Sequence, residues 1–176
     1  MTPFKKPGPA LFTIESVTTI MSEINKDIVI GFNFQLVDKE HYITYTLWMR
    51  DDRDRICKKY IKPLKQLLAT INVTLKQFRA DINIVQGKQF IGVLSEFYTI
   101  HIPTNRPLIL VKVQAIYFPA NMTNLLTDST LFVTARGLAS IHYCYSKRKE
   151  VVDLFNQRIF GIRPVQHCID EDNPFF

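Results

Sequence analysis

DIVIGFNFQLVDKEHYITYTLWM, residues 27–49, reads as two strands and the turn that joins them. Ile28, Ile30, Phe32, Phe34 and Leu36 alternate with Val29, Gly31, Asn33 and Gln35, and a period of two places the first set on a buried face. Asp38-Lys39-Glu40 supplies the turn, and Ile43, Tyr45, Leu47 and Met49 carry the apolar face onward. The opposite face of the second of these strands holds Tyr42, Thr44, Thr46 and Trp48. Two large aromatics on a face that should see water have two explanations. Either a later segment covers them, or they form a platform for bases, each stacked base contributing roughly 1–3 kcal/mol.

Upstream, ALFTIESVTTI (residues 10–20) alternates loosely and completes a three-strand meander. Residues 1–10 are Pro-rich and aperiodic, an N-terminal arm whose Phe4-Lys5-Lys6 can reach a nucleic acid but reads more simply as a disordered end. Downstream, Asp51, Asp52 and Asp54 suit a helix start, where unpaired N–H groups favour acids. Ile56, Tyr60, Ile61, Leu64, Leu67, Leu68 and Ile71 then recur at helical spacing, and Pro63 should break or restart the helix. Two further strands are expected in residues 88–102 and 107–118, joined by Pro103–Pro107. On the last of them, Leu108, Leu110, Lys112, Gln114 and Ile116 form a face too apolar to be wholly solvated. Three strands, a helical segment and two strands is the element order of the OB-fold, a five-stranded partly open barrel. The fold class is therefore mainly β. An OB-fold domain spans residues 11–118, with an extension over 119–168 and an acidic tail over 169–176. In the extension, SKRKEVVDLFNQRIFG (residues 146–161) has the stripe Val151, Val152, Phe155 and Ile159 of a helix, with Ser146 as its cap. TLFVTARGLASIHYCY (residues 130–145) fits two strands or a helix.

The chain carries 22 Lys and Arg against 16 Asp and Glu, a net charge of +6. Asp170, Glu171 and Asp172 conceal a more basic body; without them 22 cations face 13 acids, a balance of +9. Such a body attracts polyanions, nucleic acid first. Cys57, Cys144 and Cys168 are odd in number and scattered, as reduced cytosolic thiols are. His142, Cys144, His167 and Cys168 lack the paired spacing of a zinc knuckle, so no metal is implied, and no organic cofactor either. No apolar run is long enough to cross a bilayer, and prolines stand where a signal peptide needs its apolar core. The expected location is cytoplasmic, which discounts the sequons at Asn72 and Asn121. No Gly-rich phosphate loop, G-x-S-x-G or H-E-x-x-H occurs. The acids at 51, 52 and 54 alternate with Arg50, Arg53 and Arg55, which cancels the field a metal-dependent nuclease needs; the protein is not expected to be an enzyme.

The chain ends in Asp170-Glu171-Asp172-Asn173-Pro174-Phe175-Phe176. Acids before a terminal Pro-Phe suit a linear motif whose rings fill a partner's pocket and whose charges meet its basic rim. This tip resembles that of bacterial and phage single-stranded DNA-binding proteins, phage versions most. The long linker that precedes the tip in bacterial members has no counterpart here. The resemblance implies an OB-fold that coats single-stranded DNA and a tip that recruits replication, recombination and repair proteins; for a phage-encoded chain the site of action is the host cytoplasm. The expected contacts are Tyr42 and Trp48 for bases and Lys26 and Arg106 for phosphates, with Arg50 and Lys112 as weaker candidates. Asp170, Glu171, Asp172, Pro174, Phe175 and Phe176 are the expected partner-binding residues. The sequence leaves DNA against RNA open and is compatible with a homo-oligomer. A β-barrel adaptor that ignores nucleic acid and, third, a nuclease are the alternatives.

Overall fold

In a computed structural model, which describes residues 1–127, ten short elements follow one another along the chain. They are β1 (Thr2–Pro3), β2 (Gly8–Met21), β3 (Val29–Val37), β4 (His41–Trp48), α1 (Lys58–Thr70), α2 (Leu75–Ala80), a 3-10 turn (Ile82–Val85), β5 (Gln89–His101), β6 (Arg106–Pro119) and a second 3-10 turn (Thr123–Thr127). The strands form one sheet in the order β1-β4-β3-β2-β5-β6, curled into a half-barrel. The mainly-β expectation holds, and the strand, helix, strand order is present. The helix expected over 146–161, the histidines and cysteines at 142, 144, 167 and 168, and the whole tail lie outside the described residues.

Strand β2 makes the curl. Its first half pairs with β5 (Gly8↔Leu94 to Thr13↔Gln89) and its second half with β3 (Thr13↔Val37 to Met21↔Val29). The register shifts between Ile14 and Ser16, so Glu15 sits at a bulge. One extra residue inverts the alternation. Phe12 and Ile14 before the bulge and Val17 after it therefore all face the core. This is why residues 10–20 alternate only loosely. A second close approach occurs on β5, where a Cβ on Gly92 would stand 2.7 Å from the Phe12 ring.

The concave side holds Phe12, Ile14, Phe34, Leu36, Leu64, Leu67, Phe78, Val85 and Phe90, all essentially without solvent contact. Helix α1 closes it by packing on β4 and β6. Its buried stripe is Ile61, Leu64, Leu67 and Leu68; Ile56 and Tyr60, expected in the stripe, are exposed. Pro63 does not interrupt α1, which runs through it. The missing N–H forfeits one helical bond, and burial of the leucine stripe on either side offsets that loss. The acids at 51, 52 and 54 do not start the helix. Asp51 accepts from the Arg53 and Arg55 N–H groups, both at 2.9 Å, and holds the Arg55 guanidinium at 3.1 Å. Asp54 adopts the left-handed region (φ 58°) and accepts from Ser22 Oγ at 2.6 Å. These acids build the turn ahead of α1, whose cap, Cys57, makes no side-chain bond. Asn72, also left-handed, ends α1: Val73 N–H donates to Leu68 O and Asn72 N–H to Ala69 O, a Schellman closure. Thr74 and Gln77 then form a reciprocal capping box on α2.

The N-terminal arm is not a loose end. Thr2 N–H donates to Glu40 O and Phe4 N–H to Tyr42 O, making β1 a sixth strand parallel to β4. Phe4 anchors it edge-on to Phe12 with ring centroids 5.4 Å apart. A two-residue strand shows no periodicity, so the sequence hid it. At the far side, Ile116 and Phe118 of β6 pack with Ile91, Val93 and Leu125 under the final 3-10 turn. The apolar second face expected on β6 thus has its cover at this end.

Strands β4 and β6 meet through the phenols of Tyr45 and Tyr117, which are hydrogen-bonded to each other. Burial raises the Tyr45 pKa against the lowering effect of that bond; burial, then the neighbouring Tyr45, raises Tyr117. Neutral phenols are favoured in the folded state while the unfolded chain ionises near pH ~10, so this stabilisation is complete below pH ~10 and is lost above it. Urea midpoints should fall as pH rises past that point, and the Tyr45→Phe/Tyr117→Phe double variant should show a flatter decline. An equally steep decline in the variant would contradict the assignment. Gly92→Ala should cost about 1–3 kcal/mol in the same assay at neutral pH, through the clash with Phe12.

Candidate nucleic-acid interface

The convex face of β2, β3 and β4 follows from the register. Tyr42, Thr44, Thr46 and Trp48 of β4 stand opposite Val37, Gln35, Asn33 and Gly31 of β3. Ser16 and Thr18 of β2 stand opposite Gln35 and Asn33 in turn. Thr44 Oγ1 donates to Gln35 at 2.9 Å and Thr46 Oγ1 to Asn33 at 2.6 Å, so the middle of the face is a cross-strand ladder of hydroxyls and amides. None of these positions carries a charge. Asn33, Gln35, Thr44 and Thr46 had no role in the sequence reading, although their shared parity with Tyr42 and Trp48 was visible.

Tyr42 and Trp48 bracket the ladder, 37% and 43% exposed. Six residue steps of strand separate them, about 20 Å at ~3.3 Å per step. Trp48 lies across Gly31: a Cβ there would stand 2.8 Å from the Leu47 carbonyl oxygen and 3.0 Å from the indole Cε3. The glycine lets the ring lie close to the sheet. Packing of this kind accounts for an aromatic at position 48, and the remaining exposure leaves part of the ring open to a ligand.

The Tyr42 end is ordered by Asp38, which accepts from the Glu40 and His41 N–H groups at 2.7 and 2.6 Å. Burial opposes ionisation of Asp38, but these bonds and the His41 ring outweigh it and hold the carboxyl below its ordinary pKa. An open cleft beside this turn is lined in part by Phe4, Lys5, Lys6, Lys39 and His41. At the Trp48 end stands the exposed Lys26, in the turn between β2 and β3. Arg50 is there too, but its Nε donates to Val29 O at 3.2 Å and one terminal nitrogen to Asp54 O at 2.8 Å. Two of its donors are thus committed to the backbone, a structural duty the sequence did not announce.

Arg106 and Lys112 belong to a different feature. Beyond Leu94 strand β5 has no β2 partner, and among the described strands β5 and β6 continue as a hairpin, pairing from Ser95↔Lys112 to His101↔Arg106. Arg106 is exposed at its tip, and Lys112 lies lower, its Nζ 5.6 Å from the centre of the Phe97 ring. Ile102, Ile109 and Leu110 of this hairpin are exposed. The structure therefore gathers Lys26, Arg50 and Trp48 at one end of the β4 face, Tyr42 at the other, and Arg106 and Lys112 on the hairpin. Apart from the exposed Glu15 at the β2 bulge the convex face is uncharged, and the cations stand at its rims, Lys26 beside Asp27 and Lys39 beside Glu40.

Among the described residues no helix is long and apolar enough to cross a membrane. No protein-family model matches the chain, and no curated protein matches it.

Gly31→Ala should strain the β3–β4 ladder at the Leu47 carbonyl and displace the Trp48 ring. The expected outcome is a lowered urea midpoint together with a red-shifted, more readily quenched tryptophan emission; an unchanged midpoint and spectrum would mean that neither the strand nor the ring rests on this glycine.

Proposed function

We propose that this protein binds single-stranded DNA with little sequence preference, on an OB-fold, through the convex face of β2, β3 and β4. The observation that carries this reading is the pair Tyr42 and Trp48, exposed at the two ends of a polar, uncharged strand face. Bases stack on such rings whatever their identity, and hydroxyls and amides between them can meet sugar and base edges. The fold assignment is supported by the strand order once β1 is set aside, by the helix between the third and fourth of the remaining strands, and by the contact of β4 with β6 through two tyrosines. OB-folds bind oligonucleotides on the strand 2–3 face and the loops after strands 1 and 4. The first of those loops here carries Lys26, and the second ends at Arg106, the first residue of β6. The resemblance of Asp170–Phe176 to the tip of single-stranded DNA-binding proteins supports recruitment of replication, recombination and repair proteins through that motif.

A second reading, a protein-binding adaptor, is favoured by the neutrality of the face and by the apolar side chains exposed on the β5–β6 hairpin. An oligo-dT titration followed by the fluorescence of Trp48, the one tryptophan, separates the two. Quenching that weakens steeply with salt is expected, because phosphate contacts release counterions. Tyr42→Ala and Trp48→Ala should each weaken binding by about one to two orders of magnitude, the Trp48 variant followed by anisotropy of a labelled strand. A flat titration at low salt would favour the adaptor. Cleavage of a labelled strand with Mg²⁺ would favour a nuclease.

A further inference from the structure

The positive charge of the described residues is not where the stacking face is. Residues 1–127 hold sixteen Lys and Arg against ten Asp and Glu. Six of the sixteen and none of the ten fall in residues 58–80, so the remainder balances at ten against ten. The excess therefore resides on α1 and α2: Lys58, Lys59, Lys62, Lys65, Lys76 and Arg79. On α1 the leucine stripe faces the core, and Lys58, Lys59 and Lys65 are exposed. Fields of one sign over a helical face attract polyanions, and an unrelieved run of like charges costs stability unless a ligand neutralises it.

Two further features say what kind of polyanion fits. Tyr60 is 40% exposed in the first turn of α1, about 100° round the helix from Lys59, so an aromatic ring flanks the cations on that side. Rings interleaved with lysines suit a single strand, whose bases stack while its phosphates pair; an acidic peptide needs only the charges. The chain also runs directly from Trp48 to this surface. The intervening turn is closed by the Arg50↔Ile56 bridge; it presents the exposed Arg53 beside the exposed Asp52, while Arg55 is paired with Asp51.

We propose that the α1–α2 surface is a second binding track for the same single strand, which leaves the β4 face past Trp48, crosses the 51–56 turn and runs over Lys58, Lys59, Tyr60 and Lys65. The inference rests on the proposed single-strand binding and extends it. The β4 face supplies stacking on a neutral surface, and the helices supply most of the phosphate neutralisation. Occupancy then has two regimes. A short strand engages the face alone with a shallow salt dependence, and a longer one reaches the helices and binds with a steep one.

The test compares oligo-dT of about 8 nucleotides with one of about 30, either side of the upper footprint of a single OB-fold. Both are titrated over a salt series against wild type, Lys58→Gln/Lys59→Gln/Lys65→Gln, Tyr60→Ala and Trp48→Ala, with melting curves to confirm folding. For the long strand, the triple variant should lose about 2 from the slope of log K against log salt, since each phosphate contact contributes ~0.7. Tyr60→Ala should weaken long-strand binding about tenfold. Neither should alter the short strand. A long-strand slope unchanged by the triple variant overturns the proposal, and is the result expected if the helices serve an acidic protein or are merely solvated. Equal losses for both lengths also overturn it, since the lysines would then act as a general field. If Trp48→Ala is silent while the triple variant lowers the slope, the face assignment fails and the helical track stands.

Discussion

Strand β2 serves two partners, and the curl of the molecule depends on how it manages both. Residues 8–13 hydrogen-bond to β5 and residues 13–21 to β3, with Thr13 common to the two ladders. A flat strand doing this would send alternate side chains to opposite sides along its whole length. The bulge at Glu15 resets the alternation where the partner changes, so Phe12, Ile14 and Val17 enter one core. The bend also turns the two halves of the sheet toward each other, which lets the Tyr45 and Tyr117 phenols meet and leaves α1 to fill the open end. Without that offset the face bearing Tyr42 and Trp48 would have no curved support behind it.

Much of this was legible in the residues. The alternation from Gly31 onward is strict because β3 and β4 each have one face on the core, and it correctly separated Phe32, Phe34, Tyr45 and Leu47 from Asn33, Gln35, Thr46 and Trp48. It failed at the start of β3, where a register shift at Ile30 packs Val29 against the core in place of Ile28 and Ile30. The features that escaped are those in which backbone geometry decides. A bulge leaves no signature except imperfect alternation. A two-residue strand such as β1 is set by what its neighbour's edge offers. Asp51 and Asp54 looked like helix starters because aspartate satisfies unpaired N–H groups at either a helix end or a turn, and composition does not say which. Pro63 looked like a break because local propensity ignores the tertiary burial of Leu64, Leu67 and Leu68.

The site was legible in part for a related reason. Parity identifies the face on which Tyr42 and Trp48 stand, but parity carries no information about charge at a distance. Summing charge over the whole chain suggested a generally basic body; distributing it over the described fold moves the excess onto the helices. Lys58, Lys59 and Lys65 belong to no motif, and only the absence of any acid from 58–80, set against the balance elsewhere, distinguishes them. Arg50 shows the converse, a cation beside the face whose donors are partly held by Val29 O and Asp54 O.

The β5–β6 hairpin beyond Leu94 pairs only with itself among the described strands. Its length is therefore not tied to the packing of the half-barrel. Matched residues can be added to or removed from both arms near Ile102–Asn105 without shifting any register that the core relies on. That makes this arm the place where relatives of the fold can diverge in reach, gaining or losing contacts with whatever lies in front of the sheet while the molecule behind it stays as it is.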